Sequence, residues 1–193
     1  QEIRLQSRGA SSFRWVAGAY YMRDYLHDSS SYDTLRILRP LFVTPENPSG
    51  ASLDDSVGVF SWPYVQKTDS FAVFGQADVD LTPALTLTAG LRWSADDKSM
   101  DYTSRFEGDT ILVALRDQRR FSDWSGRLGL SYAFSDTARA YATYNRGYKS
   151  GGFFGGFATT TQELAPYDNE TLDAYEVGFK SEFADRRLRA SVS

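Results

Sequence analysis

The chain has 193 residues, of which 41% are hydrophobic, 24% charged and 15% aromatic, with a net charge of −4 at pH 7. It has no cysteine and one histidine, His27, which removes disulfides, thiolate metal sites, cysteine nucleophiles and any His-pair metal or proton relay. The acidic balance argues against a nucleic-acid partner, and the longest apolar run, Val16 to Met22, falls far short of the roughly 20 residues a membrane-spanning helix needs.

The elements are expected as strands, because apolar and polar residues alternate with a period of two. Ile3 and Leu5 open a weak first strand, a turn falls near Gly9 to Ser12, and Phe13 to Tyr25 forms the second. A long connection runs from about Leu26 to Gln66. Ser70 to Leu81 then sets Phe71, Val73, Ala77 and Val79 against Gln76, Asp78 and Asp80. Thr82-Pro83-Ala84 makes a tight turn, and Leu85, Leu87, Ala89, Leu91 and Trp93 alternate with Thr86, Thr88 and Arg92. After a second long connection, Ser99 to Arg119, Ser122 to Phe134 and Ala138 to Tyr148 flank a turn at Ser135-Asp136-Thr137. A third long connection, Lys149 to Asn169, leads to a strand through Tyr175, Val177, Phe179 and Phe183. The chain turns at Ala184-Asp185-Arg186-Arg187 and ends on Leu188, Ala190 and Val192. Eight strands in four hairpins result.

Short turns alternating with long connections put every long loop at one end of the sheet, the plan of a transmembrane β-barrel. Runs of 11 to 14 residues reach roughly 37 to 48 Å, enough to cross a tilted wall, whereas soluble strands run nearer 5 or 6 residues. Trp93 and Trp124 at the long-loop end, with Phe134 and Phe183 at the short-turn end, fit interfacial girdles. A soluble β-sandwich that binds carbohydrate through Trp and Tyr carries the same period-two signal, and a passive porin or a small complete eight-stranded barrel shares the strand plan.

The segments ARAYATYNRGYKSGGFFGG (Ala138 to Gly156), PYDNETLDAYEVGFKS (Pro166 to Ser181), SFAVFGQADVDLTPALTLTAGLRWSADDK (Ser70 to Lys98) and QEIRLQS (Gln1 to Ser7) together closely resemble the barrel of TonB-dependent outer-membrane receptors. The resemblance implies an all-β, antiparallel up-and-down barrel of twenty-two strands closed by an N-terminal plug. This chain would supply about eight of those strands. It further implies import of a scarce solute, such as a ferric siderophore, cobalamin, haem or a carbohydrate, driven by the inner-membrane TonB complex acting through the plug. Residues 1–193 are therefore expected to be an internal barrel segment, with plug, leader and last strands outside it, in the outer membrane of a Gram-negative bacterium. The partners implied are membrane lipid, TonB and a small-molecule metal chelate. Neither a cofactor nor a resident metal is expected.

The polar rows carry Asp78, Arg92, Arg127, Arg139, Glu176, Lys180, Glu182 and Arg189, expected to face the lumen either as a plug-docking wall or simply as its solvated lining. If Phe183 pairs with Leu188, Glu182 and Arg189 fall opposite each other as an ion pair. Trp62, Tyr102, Tyr148, Phe153 and Phe154 are the expected ligand contacts at the mouth, with packing against neighbouring loops as the competing and favoured use of Tyr148, Phe153 and Phe154. The Tyr148-Lys149-Ser150 stretch lacks the glycine spacing of a phosphate loop. Ile111 to Leu115 reads either as a short hairpin above the membrane or as an interaction surface. His27, at the base of the first long connection, is expected to be a solvated loop residue rather than a haem ligand, and Asp96, Asp97 and Asp101 solvated loop carboxylates rather than a calcium site. Neither a nucleophile elbow nor a marked carboxylate pair is present, so no catalytic residue is assigned and no enzyme is expected.

Overall fold

The computed structural model describes residues 1–9, 11–184 and 187–193. The expected turn residues Ala10, Asp185 and Arg186 lie outside the described residues. Eight strands form one sheet in sequence order: β1 (Glu2–Gln6), β2 (Phe13–Thr34), β3 (Gly58–Thr82), β4 (Leu85–Phe106), β5 (Thr110–Ser135), β6 (Ala138–Lys149), β7 (Glu170–Phe183) and β8 (Leu188–Val192). Every neighbouring pair is antiparallel, and β1 and β8 each pair on one side only. The sheet is up-and-down and unclosed.

The register aligns the apolar rows. Val79, Leu87 and Leu130 lie side by side, as do Ala77, Ala89 and Leu128, and Trp93 faces Trp124 directly. The row continues through Ala142 to Val177 and through Phe179 to Val192. Among the described residues no second sheet covers this face: Leu91 is 57% exposed and Val177 73%. A sandwich would bury these side chains, so that alternative does not describe the fold. Tyr21, Phe71, Trp93, Trp124, Tyr144 and Tyr175 close the band at the long-loop end, and the Phe134 and Phe179 rings meet at the short-turn end. Phe71 and Leu81 bracket the band on β3. The strand between them is roughly 34 Å long, or about 26 Å of height at a tilt near 40°.

On the opposite face two glycines lie beneath rings from the facing strand. Gly18 is opposite Phe74 and Gly178 opposite Tyr141, and a Cβ at either would collide with the ring. An aromatic laid over a strand glycine covers backbone that no side chain of its own can shield.

Two expected long loops are partly or largely strand. β2 and β3 stay paired from Phe13 opposite Val79 to Thr34 opposite Gly58, leaving a connection of residues 35–57 that contains a 3-10 helix, Arg36–Leu41. β4 and β5 are joined by a tight turn at residues 107–109, so Ser99 to Arg119 is the far end of a hairpin. Only residues 150–169 form the loop expected there. The physical reason is an inversion of polarity. Below Trp93, β4 turns Leu85, Leu87 and Leu91 to one face and Thr86, Thr88 and Arg92 to the other. Beyond it, Asp97, Asp101 and Arg105 occupy the first face, while Met100, Tyr102 and Phe106 occupy the second and are buried.

Candidate functional site

The inverted region is where the core sits. Met100, Tyr102 and Val113 form a buried cluster with Phe153, Ala158 and Leu164 from the 150–169 loop, flanked by Trp62, Tyr64 and Leu115. The loop is therefore folded back onto the polar face of the sheet beyond the band. Its polar anchors are specific. Lys98 Nζ donates to the Gly151 carbonyl at 2.6 Å, and Ser104 Oγ to the Ala158 carbonyl at 2.6 Å. Tyr102 donates to the Gly156 carbonyl at 3.0 Å and accepts from the Ala158 N–H at 2.9 Å. Asn169 accepts from the Gly151 N–H and donates to the Ser122 carbonyl, closing the loop at its root. Within the loop the Glu163 carboxylate accepts from the N–H groups of Thr159 and Thr160 at 2.8 and 2.9 Å. Those bonds hold its carboxyl below the ordinary glutamate range.

Between this loop and the 35–57 connection an aromatic cleft of about 550 Å³ opens, lined by Tyr32, Leu53, Phe60, Trp62, Leu112 and Phe157 among others. Phe157 meets Phe60 edge-on at 5.2 Å and Trp62 at 5.3 Å. Leu112 reaches the cleft because of a bulge: the register passes from Ser104 opposite Val113 to Arg105 opposite Ile111, leaving Leu112 unpaired. A bulge re-aims the extra side chain in this way. Arg39 ties the walls together, donating to Asp33 at 2.9 Å and to Glu107 at 3.2 Å.

The five expected ligand contacts separate. Trp62 lines the cleft. Tyr148 lines a second recess of about 380 Å³ with Tyr20, Arg92, Ser94 and Asp96. Phe154 is 46% exposed near the mouth. Tyr102 and Phe153 are enclosed in the cluster at 1% and 6% exposure, and the hydroxyl of Tyr102 is committed to the loop backbone. Tyr32, Phe60 and Leu112 line the cleft although nothing in their sequence context singles them out. Phe157, in the Gly-Phe stretch, does carry such a signal. Ile111 to Leu115 belongs to β5, with Val113 and Leu115 on the cluster and Ile111 exposed. His27 is an exposed residue of β2 rather than of a loop. Asp97 and Asp101 lie on the opposite face from Asp96, facing Arg120 and Arg116.

The eight polar-row residues fall on one face of the sheet by register. Glu182 faces Arg189, whose guanidinium donates to it at 2.6 Å, the pair that the hairpin pattern predicts. Asp78 accepts from Thr88, and Glu176 from the Tyr141 hydroxyl. Arg92 packs over the Tyr20 and Phe74 rings. Arg139 and Lys180 are directly opposite each other, and with Arg127 they border a polar recess of about 510 Å³. Among the described residues, none of those three has a carboxylate within ion-pair distance.

Residues 3–193 match the family described as TonB dependent receptor-like, beta-barrel. The chain belongs to the TonB-dependent receptor β-barrel family. Two solved receptors share its fold. The ferric yersiniabactin uptake receptor FyuA from Yersinia pestis aligns over 95% of this chain and 26% of its own, with a TM-score of 0.76 at 21% identity. The ferric-catecholate import receptor Fiu from E. coli K12 aligns over 98% of this chain and 29% of its own, with a TM-score of 0.58 at 15% identity. The chain thus spans under a third of either receptor. Members of the family are outer-membrane barrels of Gram-negative bacteria, and they are transporters rather than enzymes.

Proposed function

We propose that this chain is part of the wall and mouth of an outer-membrane receptor that imports a scarce ferric chelate, a siderophore complex, under TonB drive. The observation that carries the reading is the aromatic cleft at the mouth, held open between a structured connection and a loop fixed to the inner wall. A passive pore has no need of an organised apolar cleft at its entrance. Trp62 and Phe157 would take the aromatic or apolar part of the chelate, with Tyr148 and Phe154 meeting it deeper in the mouth. Tyr102 and Phe153 would support the loop from below.

The apolar band would meet membrane lipid and the polar face would line the lumen. Like charges directly opposite each other destabilise a strand pair. Arg139, Lys180 and Arg127 would therefore be offset by an acidic surface of the plug domain, the partner through which TonB acts. The uptake names of FyuA and Fiu support the siderophore class.

The test is binding and uptake by the full-length receptor. Ferric catecholate and ferric phenolate chelates should quench its tryptophan fluorescence, and Trp62→Ala should weaken binding by roughly tenfold, as loss of a buried aromatic anchor does. Labelled uptake should stop when the proton gradient is collapsed. If ferric chelates fail to bind but cobalamin or an oligosaccharide does, the substrate class is wrong. Uptake that continues without the gradient would make the protein a passive pore.

A further inference from the structure

The band on the lipid side ends at its upper edge in a regular way. Two residues past Tyr21 is Arg23, and two past Phe71 is Asp69. Past Trp93 and Trp124, one alternation further along, lie Asp97 and Arg120, while Tyr144 and Tyr175 lead to Arg146 and Asp173. These residues pair across strands: Arg23 with Asp69 at 2.7 Å, Arg120 with Asp97 at 3.6 Å, Arg146 with Asp173 at 3.5 Å, and Arg116 with Asp101 one step above. A belt of oriented guanidinium groups therefore runs directly above the aromatic girdle.

In the middle of the belt a shallow groove of about 750 Å³ is lined by Tyr25, Lys67, Ser99, Asp101, Arg116 and Gln118 among others; Asp117 also borders it but stands on the other face by register. Lys67 lies over the Tyr25 ring at 5.8 Å and, among the described residues, has no carboxylate within ion-pair distance. The Arg116 side chain is 82% exposed. Asp101 takes its Nε and one terminal nitrogen, leaving the other terminal nitrogen free to donate outward.

We propose that this groove binds the phosphorylated sugar headgroup of an outer-leaflet lipid. Three features carry the assignment. The groove lies on the same face as the lipid band and immediately beyond it, which is the depth of the headgroups. Its cations, Lys67 and Arg116, match phosphate oxygens, Lys67 through its ammonium and Arg116 through the terminal nitrogen that Asp101 leaves free. Its Tyr25 ring and its Ser99 and Gln118 side chains offer the apolar face and hydrogen-bonding groups that a sugar ring uses. The aspartates hold the arginines against the sheet, so the belt is preorganised. The proposal rests on the membrane orientation given above and not on which solute is imported.

The probe is bisphosphorylated lipid A added to the full-length receptor in detergent at about 0.15 M salt, where surface charges further apart than about 8 Å are screened. Retained lipid is read by native mass spectrometry. Wild type should retain it. Lys67→Gln should weaken retention about fivefold, and the double change with Arg116→Gln roughly twenty-five-fold, at about fivefold per cation near a charged surface. Arg127→Gln, on the other face, should leave retention unchanged. Lys67→Gln breaks no ion pair, so it remains informative if the double variant fails to assemble as a heat-modifiable barrel. Equal retention by wild type and Lys67→Gln overturns the proposal. So does displacement of the lipid by millimolar inorganic phosphate, which would mark a free-phosphate site, and so does equal retention of dephosphorylated lipid A. None of these outcomes bears on chelate uptake, which is measured separately.

Discussion

At the scale of the residue, one step along a strand separates the apolar face from the polar face, and so would separate lipid from lumen. Leu87 lies between Val79 and Leu130 on the apolar face, while its neighbour Thr88 faces the other way and donates to Asp78 at 2.6 Å. Leu87→Arg should therefore cost about 2–4 kcal/mol and lower the yield of assembled barrel, while Thr88→Arg should assemble normally. Equal yields of the heat-modifiable form would remove the lipid face. Tyr102 tests the mouth in the same way. Its hydroxyl serves two loop backbone groups and the side chain is buried, so Tyr102→Phe leaves the Gly156 carbonyl and the Ala158 N–H without that partner. The expected penalty on loop docking is about 1–3 kcal/mol. It should appear as faster amide exchange over residues 150–169, with the band strands unchanged. Much at this scale is legible in sequence. The Glu182–Arg189 pair follows from hairpin register, because a turn position and a period of two leave no freedom in which residues face each other. The burial of Tyr102 is not legible, because the residues that enclose it come from a loop about fifty positions further along the chain.

At the scale of the element, the lesson lies in β4 and β5. Period two persists through Lys98, Ser99, Met100, Asp101 and Tyr102, but the apolar residues change sides past Trp93. A reading that follows one apolar row sees it end at Trp93 and infers a loop. Following both rows would have kept the strand and exposed the inversion. Residues 150–169 are different. Gly151, Gly152, Gly155 and Gly156 break any periodicity, so their folding onto β3–β5 depends on a surface no local pattern describes. That docking should depend on pH through Glu163. Its carboxyl titrates below glutamate's ordinary 4.5 because the folded loop donates two N–H groups to the charged form. A lowered folded value means that the stabilisation is complete above the ordinary value and is lost as pH falls through the folded one. Protease cleavage within the loop should therefore be slow at neutral pH and accelerate as the pH drops below about 4.5. Glu163→Gln should cleave faster at neutral pH and show a flatter profile. A wild-type profile identical to that of Glu163→Gln would rule out this latch.

At the scale of the whole molecule, the decisive relation is between the open sheet and the lumen it would enclose. Eight strands can close on themselves around a filled interior. These do not: β1 and β8 lie at opposite edges of the sheet, and the polar face presents Arg127, Arg139 and Lys180 rather than a packed core. A wall whose charge is this little paired among the described residues suits a wider, wet barrel, and barrels of twenty-two strands hold a plug. A lumen of that width without a plug would conduct ions freely, so the charge pattern has an electrical consequence. In planar bilayers the full-length receptor should be closed at rest. Arg139→Glu with Lys180→Glu should raise its conductance and its leak to antibiotics, because the acidic plug surface proposed above would then meet like charge and pack less tightly. The outer cleft shares no residue with that wall recess, so chelate binding measured by tryptophan quenching should remain within about threefold of wild type, as distant independent sites do. Open channels in the unmodified receptor would indicate a passive pore. Unchanged conductance in the charge-reversed variant would mean that the wall is solvated and the plug is held elsewhere.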